Sequence, residues 1–202
     1  MDVIEDSAPC LLHLFLLAEL IVHSASRPAS SPAPCRTFRS IFHQVDLLMG
    51  LSRKLHDLSD EDVLMFESME NRLDTLPHLP HSAEYFRSFK VNESLSQLSL
   101  HTQSFRQHID WLKLARENVS LPSRAAEDSS THLLKLSNLL NASLHQMNEE
   151  VPQLPPLSLP IASTSFDVLQ FSVEISDRLK IFCHWSKRVL RYLQRLNRCP
   201  KH

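Results

Sequence analysis

The 202-residue chain has a formal net charge of −2, 43% hydrophobic residues and a single glycine, Gly50. One glycine excludes the phosphate-binding loops of nucleotide-binding folds and argues against hairpin-rich sheets, which need repeated left-handed positions. The charge gives no overall basic footprint for nucleic acid, and the hydrophobic fraction is too high for a disordered protein. These properties leave a mostly helical domain as the expected fold class.

The first element of the chain is an apolar run that is typical of a signal peptide. Leu11–Val22 is too short to span a bilayer, and small residues suited to cleavage follow at positions 24–26. Asp2, Glu5 and Asp6 stand where a positive charge is usual, so a buried first helix is the alternative. We expect residues 1–26 to be a signal peptide and residues 27–202 to be one secreted domain that does not insert into membranes.

Prolines divide the rest of the chain into four proline-free runs, at residues 35–76, 81–121, 123–151 and 161–199. Because proline inside a helix costs about 3 kcal/mol or more, we expect one helix in each run. Each run also has apolar residues at helical spacing, which predicts an amphipathic helix with one buried stripe. The stripes are Phe38, Ile41, Phe42, Val45, Leu48, Met49, Leu55 and Leu58; Leu95, Leu98, Phe105, Ile109 and Leu112; Leu133, Leu136, Leu140, Leu144 and Met147; and Val168, Ile175, Leu179, Phe182, Val189 and Leu193.

The lengths of the links predict the topology. About 35 residues, with a short helical candidate at 59–73, separate the first helix from the second, and only a few residues around Pro122 separate the second from the third. A proline-rich, extended link, PQLPPLSLPIAS, precedes the fourth helix. Long first and last links can cross the whole bundle, so we predict an all-α, up-up-down-down, long-chain four-helix bundle of the cytokine type.

This topology places the start of the first helix and the end of the fourth at the same pole. We therefore predict a disulfide between Cys35 and Cys199; the alternatives are that the thiols stay free or that one bridges two chains. Cys183 lies on the core side of the fourth helix and is expected to be a buried free thiol.

No catalytic or metal-binding motif stands out. His78 and His81, or His101 and His108, are the nearest metal candidates, but no H-E-x-x-H motif occurs and the cysteines have no zinc spacing, so we expect no enzyme, metal or cofactor. Three sequons predict N-glycosylation if the chain is secreted. Their acceptors are Asn92, Asn118 and Asn141.

The fourth helix carries a second stripe outside its core stripe. Its residues are Ile181, Trp185, Arg188, Tyr192 and Arg195. Aromatic and arginine side chains dominate protein interfaces, so this stripe predicts a docking surface; the alternative is that Trp185 and Tyr192 pack at the stripe's edge under a loop. The chain from residue 170 onward is basic, which suits an acidic partner. Phe166, near the start of this helix, either plugs a loop or protrudes towards a partner.

Three segments resemble the interleukin-11 family, within the interleukin-6 class of long-chain helical cytokines. Residues 73–83, LDTLPHLPHSA, are similar to the family's L-D-S-L-P-x-L-x-x-S-A, and residues 108–112, HIDWL, are similar to its H-V-Q-W-L. Residues 185–188, WSKR, match its W-x-x-R near the end of the last helix. The cysteines, the sequons and a phenylalanine at position 166 depart from the family, which suggests a divergent vertebrate member or duplicate.

The resemblance implies a secreted cytokine, monomeric before receptor binding, that engages two kinds of receptor. Trp185 and Arg188 would lie in the site for a specific alpha receptor. Phe166 takes the position of the family's tryptophan, which contacts the shared signal-transducing receptor, glycoprotein 130. A further surface on the first and third helices is not mapped to residues, although a glycan at Asn141 would crowd it.

Two other functional classes are compatible with amphipathic helices. A lipid carrier of the apolipoprotein type would open its helices on lipid, and an intracellular helical scaffold would retain the N-terminal segment.

Overall fold

The computed structural model describes residues 33–70, 72–79 and 90–200, so the predicted signal peptide and His81 lie outside the described residues. Within these ranges the secondary structure is entirely helical. The helices are α1 (Ala33–Ser52), α2 (Asp60–Glu67), α3 (Val91–Asn118), α4 (Arg124–Gln146) and α5 (Ser165–Leu196). In this part of the chain, no helix combines the length and the apolar character needed to cross a membrane.

Local sequence explains where the helices begin. The Ser59 hydroxyl accepts a hydrogen bond from the Asp62 backbone N–H and caps α2. At α5, Thr164 and Asp167 form a capping box, in which each side chain accepts from the other residue's backbone N–H. Such caps satisfy N–H groups that have no partner within the helix and contribute about 1 kcal/mol each.

The four long helices share one hydrophobic core. α1 packs against α4 and α5, and α3 packs against the same two helices, while α2 contacts α5. Nearly all of the predicted stripe residues are buried, and Ser52 and Thr102 fill polar gaps in the stripes with their hydroxyls bonded to backbone carbonyls. Met147 is an exception: it is exposed because α4 ends one residue earlier.

The order of contacts along each helix pair gives the directions of the helices. α1 and α5 meet in reverse order, as do α3 and α5, and α3 and α4. The pairs that show this are Cys35–Cys199 and Ser52–Ser176, Phe105–Phe182 and Arg116–Ser172, and Ser99–Asn141 and Asp110–Ser130. We infer that α1 and α3 run in one direction and that α4 and α5 run in the other.

A short strap of chain, residues 72–79, crosses the N-terminal half of α5. The buried carboxylate of Glu174 accepts hydrogen bonds from the backbone N–H groups of Arg72, at 3.0 Å, and Leu73, at 3.2 Å. Leucines of the strap are buried in the core. The two backbone hydrogen bonds replace the hydrogen bonds to water that the carboxylate lost on burial. Glu174 therefore fixes the strap to the helix.

The two poles of the bundle are held by different devices. At one pole, Cys35 and Cys199 form the predicted disulfide, with their Cα atoms 5.5 Å apart. At the other, the Arg116 guanidinium is buried and donates to the carbonyls of Leu55 and Pro122 and to the Ser172 hydroxyl. Burial lowers the pKa of Arg116, while Asp57 nearby opposes that shift. Arg116 therefore connects two loops to α5.

The remaining cysteine is part of the core. Cys183 is a buried free thiol, as the sequence predicts. Burial among apolar side chains raises its pKa to about 12. At neutral pH it therefore stays a thiol and packs as a small apolar residue.

Candidate functional site

The C-terminal half of α5 presents a face directed away from the core. Arg188 and Arg195 are exposed on it, and Ile181 is half-buried at its edge. Residues 181, 188 and 195 are seven apart, which is about two helical turns, so their side chains lie in one line along the helix. His184, which the sequence analysis did not select, is also exposed on this face. The one feature of the sequence that could have indicated this exposure is the position of His184 four residues, about one helical turn, before Arg188.

The expectation that Trp185 is exposed is wrong. Its side chain is only 3% exposed, and its ring contacts those of His101, at 5.3 Å between centroids, and Phe182, at 6.3 Å. At about 100° per residue, Trp185 lies about 80° from the centre of the core stripe, at the edge of that stripe. Because α5 packs against both α1 and α3, its buried arc is wide enough to include the indole on the α3 side.

Tyr192 also lies at the edge of the core. It is half-buried and packs against the core cluster. The alternative stated above, in which Trp185 and Tyr192 pack at the stripe's edge under a loop, is right about the edge, but the ring that contacts Trp185 from outside α5 is His101 of α3. The accessible part of the stripe is formed by Arg188 and Arg195, flanked by Ile181 and Tyr192.

Burial also changes the chemistry of the ring beneath this face. Desolvation lowers the pKa of His101 to about 4. The imidazole is therefore neutral at physiological pH and acts as a packing partner of Trp185.

Phe166 lies on the first turn of α5 and is 49% exposed. One side of its ring packs against Phe66 of α2, with 5.2 Å between centroids. The ring thus both covers part of α2 and keeps an accessible side. Leu64 and Met65 of α2 are 65% and 52% exposed, which adds apolar surface that the sequence analysis did not select.

The unmapped surface of the first and third long helices corresponds to α1 and α4. The two helices are joined by a hydrogen bond of 2.8 Å between His132 Nδ1 and Gln44 Oε1. Leu47 of α1 and Leu134 of α4 are exposed at 36% and 40%. These leucines are apolar side chains that the core does not use.

The sequons differ in their surroundings. Asn118 and Ser120 are exposed at the end of α3. Asn141 is half-buried within α4, its Oδ1 accepts a hydrogen bond from the Ser99 hydroxyl at 3.3 Å, and Ser143 is buried. The side chain of Asn92 lies outside the described residues.

Two of the histidines considered as metal ligands, His101 and His108, have other partners within the described part of the chain. His108 is buried, its Nδ1 donates to the Ser104 carbonyl, and its Nε2 accepts from the Thr75 hydroxyl at 2.9 Å. Burial lowers the pKa of His108, which keeps the ring neutral. Within the described ranges, no three potential metal ligands lie together.

The family model described as Interleukin 11 matches residues 28–197, which is most of the chain. The chain belongs to the interleukin 11 family. Interleukin 11 proteins are cytokines and not enzymes, so the match favours the cytokine prediction over the lipid carrier and the scaffold. A comparison with individual curated proteins gave no significant match.

In this interleukin 11 family member, two of the segments that carry the resemblance are in direct contact. Thr75 belongs to the strap and His108 to α3, and their side chains are hydrogen-bonded. The leucines on either side of Pro77 are buried in the core, and the Leu76 N–H donates to the Leu73 carbonyl in a turn of the strap. The resemblance in these segments therefore reflects how the first long link is fixed to the bundle.

Proposed function

We propose that this chain is a secreted cytokine that binds a specific alpha receptor through the C-terminal half of α5. It then recruits a signal-transducing receptor of the glycoprotein 130 type through Phe166 and through a further surface on α1 and α4. The ligand is a monomer before it meets its receptors. Signalling follows from receptor clustering, without chemistry in the ligand.

The observation that carries the proposal is the exposed pair Arg188 and Arg195 on a helix whose opposite face is buried in the core. Both guanidinium groups are accessible to a partner, and arginines in an interface form bidentate hydrogen bonds with carboxylates. Ile181 and Tyr192 add apolar area beside them. Trp185 supports this face from beneath and does not itself touch the receptor.

The second contact rests on Phe166. An exposed aromatic ring at the tip of a helix is a suitable anchor for a pocket on a partner, and packing on Phe66 restricts its motion. Leu64 and Met65 extend the same kind of surface onto α2. The leucines of α1 and α4 support a third contact.

The alpha-receptor site is tested by Arg188→Ala, with Arg53→Ala as a matched control, because Arg53 is exposed beyond the end of α1. We expect Arg188→Ala to weaken binding of the purified receptor ectodomain about 30-fold, which corresponds to the roughly 2 kcal/mol of an interface hot spot. Arg53→Ala should bind normally, and circular dichroism should show both variants folded. Normal affinity in Arg188→Ala would contradict the site.

The signal-transducer contact is tested by Phe166→Ala, with Ile161→Ala as the control, since Ile161 is 87% exposed in the preceding link. Phe166→Ala should retain alpha-receptor binding and lose potency in a cell reporter assay. Full potency would remove Phe166 from the proposed contact.

A further inference from the structure

A groove of about 730 Å³ lies at the disulfide pole between α1 and α5. Four exposed arginines line it. They are Arg39 of α1, Arg191 and Arg195 of α5, and Arg198 just after α5. Phe42 and the Cys35–Cys199 disulfide also line the groove, so its shape depends on the bond that joins the start of α1 to the chain just after α5.

The positive charge of this groove is not neutralised by its own residues. Asp46 is the one carboxylate in its lining, and it forms an ion pair with Lys187. Among the residues that the structure describes, none of the four arginines forms a salt bridge. The Lys187 ammonium and the Arg191 guanidinium each lie 5.7 Å from the centre of the Phe42 ring. About four positive charges therefore face one open groove in a chain whose formal net charge is −2.

We propose that this groove binds a sulfated glycosaminoglycan chain. Guanidinium groups bind sulfate and carboxylate oxygens through paired hydrogen bonds, and a linear polyanion presents such groups at repeated intervals. The centre of a protein interface combines arginine with several large apolar side chains, whereas Phe42 is the one large apolar side chain among the described lining residues of this groove. Apart from Phe42, Pro200 and the disulfide, the described lining residues are charged or polar, so their composition favours the polysaccharide over an acidic protein.

This binding has one consequence for the proposed receptor contact. Arg195 belongs both to the groove and to the exposed face of α5. A glycosaminoglycan held in the groove would therefore compete with an alpha receptor for this residue. Arg39 and Arg198 lie outside the receptor site proposed above, so they allow the two activities to be separated.

The test uses the oxidised, secreted protein on a heparin-coated sensor surface. Arg39→Gln combined with Arg198→Gln removes two charges from the groove. Arg53→Gln combined with Arg124→Gln removes two exposed charges away from the groove, where α1 ends and α4 begins. Thermal unfolding should be unchanged in both double variants, because all four side chains are exposed.

We expect the groove variant to bind heparin at least about 10-fold more weakly at about 0.15 M salt, and the dependence of log affinity on log salt to lose about two units of slope. The control pair should stay within about twofold of the natural sequence. Alpha-receptor binding should persist in the groove variant, which separates failure of this proposal from failure of the receptor site. Absence of heparin binding by the natural sequence, equal losses in both pairs, or equally tight binding of polyglutamate would overturn the proposal.

Discussion

Replacing Trp185 with alanine distinguishes a buried support from an exposed contact. The indole is 3% exposed and packs between His101 and Phe182. Replacing a buried aromatic side chain with alanine lowers the free energy of unfolding by about 3–5 kcal/mol, because the transfer energy of the removed atoms is lost and a cavity is left behind. For a domain of this size, about 1 kcal/mol shifts the melting temperature by about 2–4 °C, so we expect a decrease of about 6–20 °C.

The assay is urea unfolding of the oxidised protein, followed by far-ultraviolet circular dichroism. Trp185→Phe is the matched control, because it keeps an aromatic ring and should lose less than half as much stability. Alpha-receptor binding of Trp185→Ala is then measured well below its melting temperature, where the protein is folded. A loss of less than about 1 kcal/mol together with abolished receptor binding would refute the buried placement, since hot-spot residues of an interface lose affinity without a comparable loss of stability.

Three further perturbations test the rest of the architecture. Replacing Cys35 and Cys199 together with serine should lower the free energy of unfolding by about 3–5 kcal/mol, because the bond closes a loop of 164 residues; an unchanged urea midpoint would contradict it. Arg116→Met should cost about 2–4 kcal/mol in the same assay, because it removes the donor to the buried Leu55 carbonyl and Ser172 hydroxyl, and stability equal to that of the natural sequence would show that the guanidinium is not needed. The pKa of His101 is lowered to about 4 in the folded protein, against 6.5 in the unfolded chain. The stability gained by burying the neutral imidazole is therefore fully present above pH 6.5 and is lost as the pH falls towards 4, because the unfolded chain then binds the proton first. Unfolding measured from pH 7 to 4 should show this loss, of about 2–3 kcal/mol, and His101→Gln should show a smaller pH dependence.

Much of the fold was accessible from sequence because its signals are local. Prolines bound the helices, and steps of three and four residues place Leu98, Phe105 and Ile109 on the buried side of α3. Ser59 and Thr164 cap helices where the sequence offers side-chain acceptors. Such signals depend only on residues within a few positions of one another.

The position of the strap was not accessible in the same way. Glu174 is buried because it accepts hydrogen bonds from backbone about 100 residues earlier in the chain. Helical periodicity alone predicts Glu174 to be a surface residue. No pattern in the neighbouring sequence indicates its hydrogen bonds to the strap. The same limit applies to Arg116, whose acceptors come from two separate loops and from α5.

The candidate site shows where helical periodicity loses resolution. Arg188 and Arg195 lie opposite the core and were placed correctly as exposed. Trp185 lies at the margin, where the width of the buried arc depends on how many helices surround α5. A helical wheel gives the direction of a side chain but not the position of the neighbour that covers it.

The disulfide also makes the described domain nearly a closed covalent ring. Cys35 stands at the start of α1 and Cys199 just beyond the end of α5, so every connecting loop lies inside the ring. A single cut by a protease, for example in the proline-rich link before α5, would leave one molecule of unchanged mass apart from the added water. The two pieces would separate on an electrophoresis gel only after a reducing agent opened the bond, and a nicked ligand would otherwise pass as intact.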